Sequence, residues 1–134
     1  MSFVLNTQLE ADCFNLGTID DCSLLLHKNA LVPWFILVPH TNELEIYKID
    51  TELQSSIHNT TNKLASFTES HFLTDKLNIA TIGNIVPQLH IHVIGRFIND
   101  FCWPAPIWGQ PAFEKYKDEE LLIIKQALKD ENLL

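Results

Sequence analysis

The segment Pro87-Gln-Leu-His-Ile-His-Val-Ile-Gly-Arg96 constrains this chain more than any other, because polar and apolar residues alternate strictly from Gln88 to Val93. A period of two is that of a β-strand, which places Gln88, His90 and His92 on one face and Leu89, Ile91 and Val93 on the other. The apolar face must pack, and the polar face is left for chemistry. A buried structural histidine usually stands alone, whereas two histidines and a glutamine need partners that a plain core does not supply. The bland alternative is a half-exposed sheet face that simply carries polar side chains. By parity Arg96 ends the strand on the histidine face, although Gly95 can break that count.

The rest of the chain reads as a frame for this strand. Ser23 to His27 and Trp34 to Val38 are short apolar runs joined by Lys28-Asn-Ala-Leu-Val-Pro33, a length that suits an antiparallel hairpin. Leu77 to Ile82 and Leu89 to Phe97 flank Gly83-Asn-Ile-Val-Pro87, where Gly83-Asn84 is a turn signal and predicts a second hairpin. Between the hairpins, Thr51-Glu-Leu-Gln54 has capping-box spacing and Leu53, Ile57, Leu64 and Phe67 recur at helical intervals, giving one amphipathic helix from about Asp50 to Glu69. A terminal helix over Tyr116 to Leu128 places Leu121, Ile124 and Leu128 on one stripe. Two hairpins and two helices predict an α+β fold in which helices cover one face of the sheet and the other face stays free for a site or a partner.

With 134 residues, no repeat and no linker, the chain is expected to form a single domain over residues 1–134. Its 46% hydrophobic residues suffice for one core. A net charge of −8, from 17 acids against 9 Lys and Arg, repels polyanions, so nucleic acid and anionic membrane surfaces are not expected as partners. No acid occurs between Asp21 and Glu43 or between Asp75 and Asp100, windows that hold His27, Lys28, His40, Lys76, His90, His92 and Arg96. They offer a small anion a place, or they are simply buried strands. No signal-peptide pattern and no membrane-spanning run are present, which predicts a cytoplasmic protein. Cys13, Cys22 and Cys102 form no CxxC pair and read as reduced core residues.

Two chemistries suit His90 and His92. Same-face imidazoles can form half of a zinc site, with His40 or His27 arriving from another strand as a third ligand. Alternatively, a neutral imidazole attacks phosphorus while its neighbours hold the phosphate oxygens. Trp34, Trp103 and Trp108 read as core or interface aromatics, or as a stacking surface for a base.

Gln88-Leu-His-Ile-His-Val-Ile94 resembles the signature of the histidine-triad (HIT) family, in which three histidines alternate with apolar residues. Trp34-Phe-Ile-Leu-Val-Pro39 resembles that family's earlier strand ending in proline, Asn78 and Gly83 its asparagine and glycine before the motif, and Trp103-Pro104 its tryptophan-proline element after it. The resemblance covers roughly residues 22 to 110. It implies an antiparallel sheet of about five strands with one long central helix and a C-terminal helix. It also implies cleavage at the α-phosphorus of a nucleoside phosphate ester, anhydride or phosphoramidate, through a covalent nucleotidyl-histidine on His90. His92 falls on the last triad histidine, and Gln88 stands in place of the first, as in a bacterial branch labelled diadenosine polyphosphate hydrolase-like. For the nucleotide, the resemblance points to Asn29 on the ribose and to Asn78, Gly83 and Asn84 on the phosphate, with Trp103 beside them. It implies a homodimer, a small-molecule nucleotide substrate and no required cofactor or resident metal, and it allows a magnesium-bound substrate. Gln88 and Asn29 depart from the usual residues, which leaves open a nucleotide-binding protein of weak turnover beside the small zinc module.

Overall fold

The apolar runs become strands where both of their faces can be covered. In the computed structural model, which describes residues 2–134, the elements are α1 (Thr7–Asp12), β1 (Cys13–Ile19), β2 (Cys22–His27), β3 (Trp34–Pro39), α2 (Thr51–Phe72), β4 (Lys76–Ala80), β5 (Ile91–Arg96) and α3 (Asp118–Asp130), with a short 3-10 turn at Ile46–Lys48. The strands form one antiparallel sheet in the order β1-β2-β3-β5-β4. The α+β architecture, the antiparallel pairs β2–β3 and β4–β5, and the two long helices agree with the sequence.

One face of the sheet carries the helices. Leu24, Leu26, Phe35, Leu37, Ile91 and Val93 pack with Ile57, Leu64 and Phe67 of α2 and with Ile124 and Leu128 of α3. Each such side chain contributes about 1.5–3 kcal/mol by leaving water. Thr61 and Thr68 fit into the buried stripe of α2 because each hydroxyl donates to a carbonyl one turn back, Ile57 and Leu64 respectively. The helix is capped by Asp50, whose Oδ1 accepts the Leu53 N–H at 2.8 Å, and not by a Thr51 capping box. It runs beyond Glu69 and ends where Leu73 turns left-handed at φ 56°. Gly95 is required at its place in β5, since a Cβ there would lie 2.5 Å from Thr74 Cγ2 and 2.8 Å from Pro33 Cγ. The register through Gly95 is unbroken, so Arg96 stays on the face of His92.

The opposite face is not free, contrary to the expectation. Leu9, Cys13, Leu25, Val32, Trp34, Ile36, Val38, Ile94 and Ile107 form a second core there, with Phe3, Leu5, Val86 and Trp108 packed against it. The cover comes from the N-terminal segment and from the loop after β5. Neither α1 nor β1 stands out in the sequence: α1 is a six-residue helix, and the pairing of β1 slips by one residue between Asn15 and Gly17, where φ is 134°.

Candidate functional site

β5 begins at Ile91, so of the three polar residues in the alternating segment only His92 lies in the strand. Its neighbours set that limit: Leu37 of β3 pairs with Ile91, and Ala80, the last residue of β4, pairs with His92. His90 and Gln88 precede the strand in the loop from β4. His90 and His92 still come together, with ring centroids 4.9 Å apart and each side chain buried. Gln88 turns away. Its Oε1 accepts the Asn6 N–H and its Nε2 donates to the Val4 carbonyl, both at 2.8 Å, so it clamps the N-terminal segment.

Each histidine has a partner that fixes its tautomer. His90 Nδ1 lies 2.6 Å from the Gln88 carbonyl. A carbonyl only accepts, so the proton sits on Nδ1 and Nε2 keeps its lone pair. His92 Nδ1 accepts the indole N–H of Trp34 at 2.9 Å. An indole only donates, so the His92 proton sits on Nε2. Burial, reinforced by His90 and His27, pushes His92 down to about 3.

Beside His90 opens a cleft of about 490 Å³. Thr81 to Asn84 and Pro87 to His90 form one side of it, and Leu44, Glu45 and Ile46 the other. Gly83, Asn84 and His90 are thus brought to one place, and Gln88 borders it while its amide stays bonded to Val4 and Asn6. A larger hollow of about 720 Å³ lies between α2 and the end of α3 and contains none of them.

The remaining sequence candidates hold the chain together elsewhere. Arg96, 1% exposed, donates from Nε and Nη2 to the two carboxylate oxygens of Asp100 at 2.8 and 3.1 Å, and from Nη2 to the Ala105 carbonyl. Its Nη1 donates to Oδ1 of Asn78 at 2.9 Å, and its guanidinium lies over the Trp103 ring. Asn78 and Trp103 are therefore engaged with Arg96. Asn29 is buried; its Oδ1 accepts from the N–H groups of Leu31 and Glu114, and its Nδ2 donates to the Ala112 carbonyl. It ties the β2–β3 turn to the segment before α3, and its carbonyl oxygen is filled. The acid-poor windows supply no cation to the cleft: Arg96 is paired, Lys28 lies over Phe14, and the cleft lining contains Glu45 but neither Lys nor Arg.

Neither expected third zinc ligand reaches the pair. His40 bonds Ser23, and His27 stacks on Trp34 at 3.9 Å, with Trp34 between it and His92. Among the described residues no three His, Cys, Asp or Glu side chains converge on one point, and no helix is long and apolar enough to cross a membrane.

Sequence reasoning passed over Trp34 as a hydrogen-bond donor, Trp108 as an edge-on neighbour of His92 at 5.1 Å, and Leu44 to Ile46 as a cleft wall. Register alone reveals the first. Ile36 pairs with His92, which makes Trp34 a diagonal neighbour on the same face.

Residues 8–99 match the HIT domain family. The chain is similar to crystal structures of histidine triad proteins from three bacteria. That of Bradyrhizobium japonicum is 31% identical, with a TM-score of 0.94 over 98% of both chains. That of Marinobacter aquaeolei is 35% identical, with a TM-score of 0.93 over 100% of both chains. That of Sinorhizobium meliloti is 33% identical, with a TM-score of 0.92 over 96% of both chains. No curated protein matches the chain.

Proposed function

This chain belongs to the HIT domain family, and from that premise we propose that it is a nucleotide hydrolase or nucleotidyl transferase whose nucleophile is Nε2 of His90. The observation that carries this reading is the bond from His90 Nδ1 to the Gln88 carbonyl, which leaves the Nε2 lone pair available. Attack on the α-phosphorus of a nucleoside phosphate ester, anhydride or phosphoramidate expels the leaving group and forms an Nε2–P bond. Water then cleaves the nucleotidyl-histidine, releasing the nucleoside monophosphate and restoring the imidazole.

His92 Nε2–H and the backbone N–H groups of Gly83 and Asn84 donate to the phosphate oxygens as charge develops on them. Gly83 and Asn84 line a cleft that holds a carboxylate and neither Lys nor Arg, which neutral donors suit, and His92 adjoins it through His90, 4.9 Å away between ring centroids. The reading needs no resident metal or cofactor, and magnesium enters only as part of a substrate. Gln88 cannot carry a proton, so no relay passes through the first position of the triad. Glutamine at that position resembles the diadenosine polyphosphate hydrolase-like branch, and the reading takes the chain as a member of it. Asn29 ties the β2–β3 turn to the segment before α3, and Asn78 and Trp103 hold Arg96, so their contribution in this reading is to the fold that carries the site.

A second reading, a nucleotide-binding protein of weak turnover, is favoured by Gln88, whose amide is committed to Val4 and Asn6. One experiment separates the two. The protein is treated with EDTA and offered adenosine and guanosine polyphosphates and phosphoramidates, while nucleotide binding and release of nucleoside monophosphate are both followed. Metal-independent release supports the enzyme, and binding without release supports the second reading.

A further inference from the structure

We propose that Trp34 is a positioning residue of this site: by giving its indole N–H to Nδ1 of His92, it locks His92 as the Nε2–H tautomer and keeps it a neutral donor throughout the working pH range. The inference deepens the nucleotidyl-transfer reading and rests on it.

The direction of the bond leaves no choice. Indole has one N–H and no acceptor, so Nδ1 of His92 must offer a lone pair. Protonating Nδ1 would set two N–H groups against each other and strand a buried indole donor, because Trp34 is 8% exposed and His92 5%. The rings around the pair hold it in place. His27 stacks on Trp34 at 3.9 Å with 7° between planes, and Trp108 stands edge-on to both Trp34 and His92. A flipped His92 would occupy nearly the same volume but would set a C–H against the buried indole N–H and strand it.

The charges around His92 act the same way. The titratable groups near it are His90, in ring contact just ahead of its own strand, and His27 of β2, on the far side of the Trp34 ring, and both oppose a positive charge on it. Trp34 and Trp108 are uncharged, and its partner on β4 is Ala80. Further along the same face, Arg96 and Asp100 neutralise each other. His92 is therefore suited to hold a phosphate oxygen and unsuited to shuttle a proton. His90, with the opposite tautomer, is suited to attack.

The test combines nitrogen-15 NMR of the histidine rings with kinetics on nucleotide substrates. In the wild type, His92 should show the Nε2–H tautomer without titrating from about pH 5 to 9. Trp34→Phe keeps an aromatic ring beneath His27 and removes only the N–H donor. In this variant His92 should populate both tautomers and titrate at least one pH unit higher. Its kcat should fall by about tenfold, with KM less affected, and the acid side of its pH–kcat profile should steepen from one proton to two. A wild-type His92 that carries its proton on Nδ1, or that titrates in the ordinary histidine range, overturns the lock even if the variant fails to fold. The same titration and the same pH profile in both proteins overturn it too. A locked tautomer in a protein that turns over no nucleotide leaves the lock standing and removes its role in catalysis, which identifies the functional reading as the part that failed.

Discussion

The imidazoles of His90 and His92 meet edge to face, 4.9 Å between centroids, yet they are held in opposite tautomers, one by a carbonyl that only accepts and one by an indole that only donates. Two identical side chains thereby acquire different chemistry: a lone pair at Nε2 on the first and an N–H at Nε2 on the second.

Acid should destabilise the fold through His92. Burial and its two histidine neighbours hold it down to about 3 from an ordinary 6.5. Between those values the unfolded chain binds a proton that the folded chain does not, so stability falls as pH falls, by up to about 1.4 kcal/mol per pH unit. His27, lowered chiefly by burial, acts in the same direction. Denaturant unfolding between about pH 6.5 and 5, above the carboxylate range, should show this slope, and His92→Gln should reduce it. An unchanged slope in the variant would remove His92 as its source.

Gln88 should matter to the N-terminus more than to proton transfer. Gln88→Ala breaks both bonds to the Val4–Asn6 backbone, and hydrogen exchange at the Asn6 amide should quicken by about tenfold or more. Gln88→His should leave turnover within about tenfold of wild type, because the proposed mechanism passes no proton through that position. Undiminished protection of Asn6 in Gln88→Ala would contradict the clamp.

Asn78 and Arg96 should behave as a structural brace. Asn78→Ala strips an acceptor from a fully buried guanidinium and should cost about 1–3 kcal/mol of stability. Asp100→Ala leaves Arg96 as an uncompensated buried charge and should cost about 3–5 kcal/mol. Chemical denaturation measures both. Full stability in Asn78→Ala, combined with a loss of nucleotide affinity, would return Asn78 to the phosphate.

Why some of this was legible in the sequence and some was not follows from the range of each interaction. The strands Cys22–His27 and Trp34–Pro39 are legible as short apolar runs, because both of their faces are buried, and the helix Thr51–Phe72 is legible from its helical spacing of apolar residues. The alternation from Gln88 to Val93 correctly marked the segment that carries the site, but it overran the strand, since pairing stops where Leu37 and Ala80 find their last partners. Asn29 and Arg96 take partners from residues 100 to 114, and Asn78 takes Arg96 from the neighbouring strand, pairings that only the tertiary fold brings together. The Trp34–His92 bond spans 58 residues and depends on strand register, which no local pattern specifies.

The chain should be a homodimer at micromolar concentration. β4 is an edge strand of the sheet, and Ile79, Ile82 and Ile85 stand 48%, 37% and 91% exposed on it and just after it. An open edge with apolar side chains invites another chain to pair. Sedimentation should show a dimer for the wild type and a shift toward monomer for Ile79→Lys. A wild type that sediments only as monomer would rule the dimer out.

The most direct test of the central claim compares His90→Ala with wild type in turnover and in nucleotide binding. Removing the attacking atom has no substitute in covalent catalysis, so kcat should fall by about 10³-fold or more while the nucleotide Kd stays within a few-fold of wild type. Turnover near the wild-type rate in His90→Ala would contradict His90 as the nucleophile and the mechanism with it.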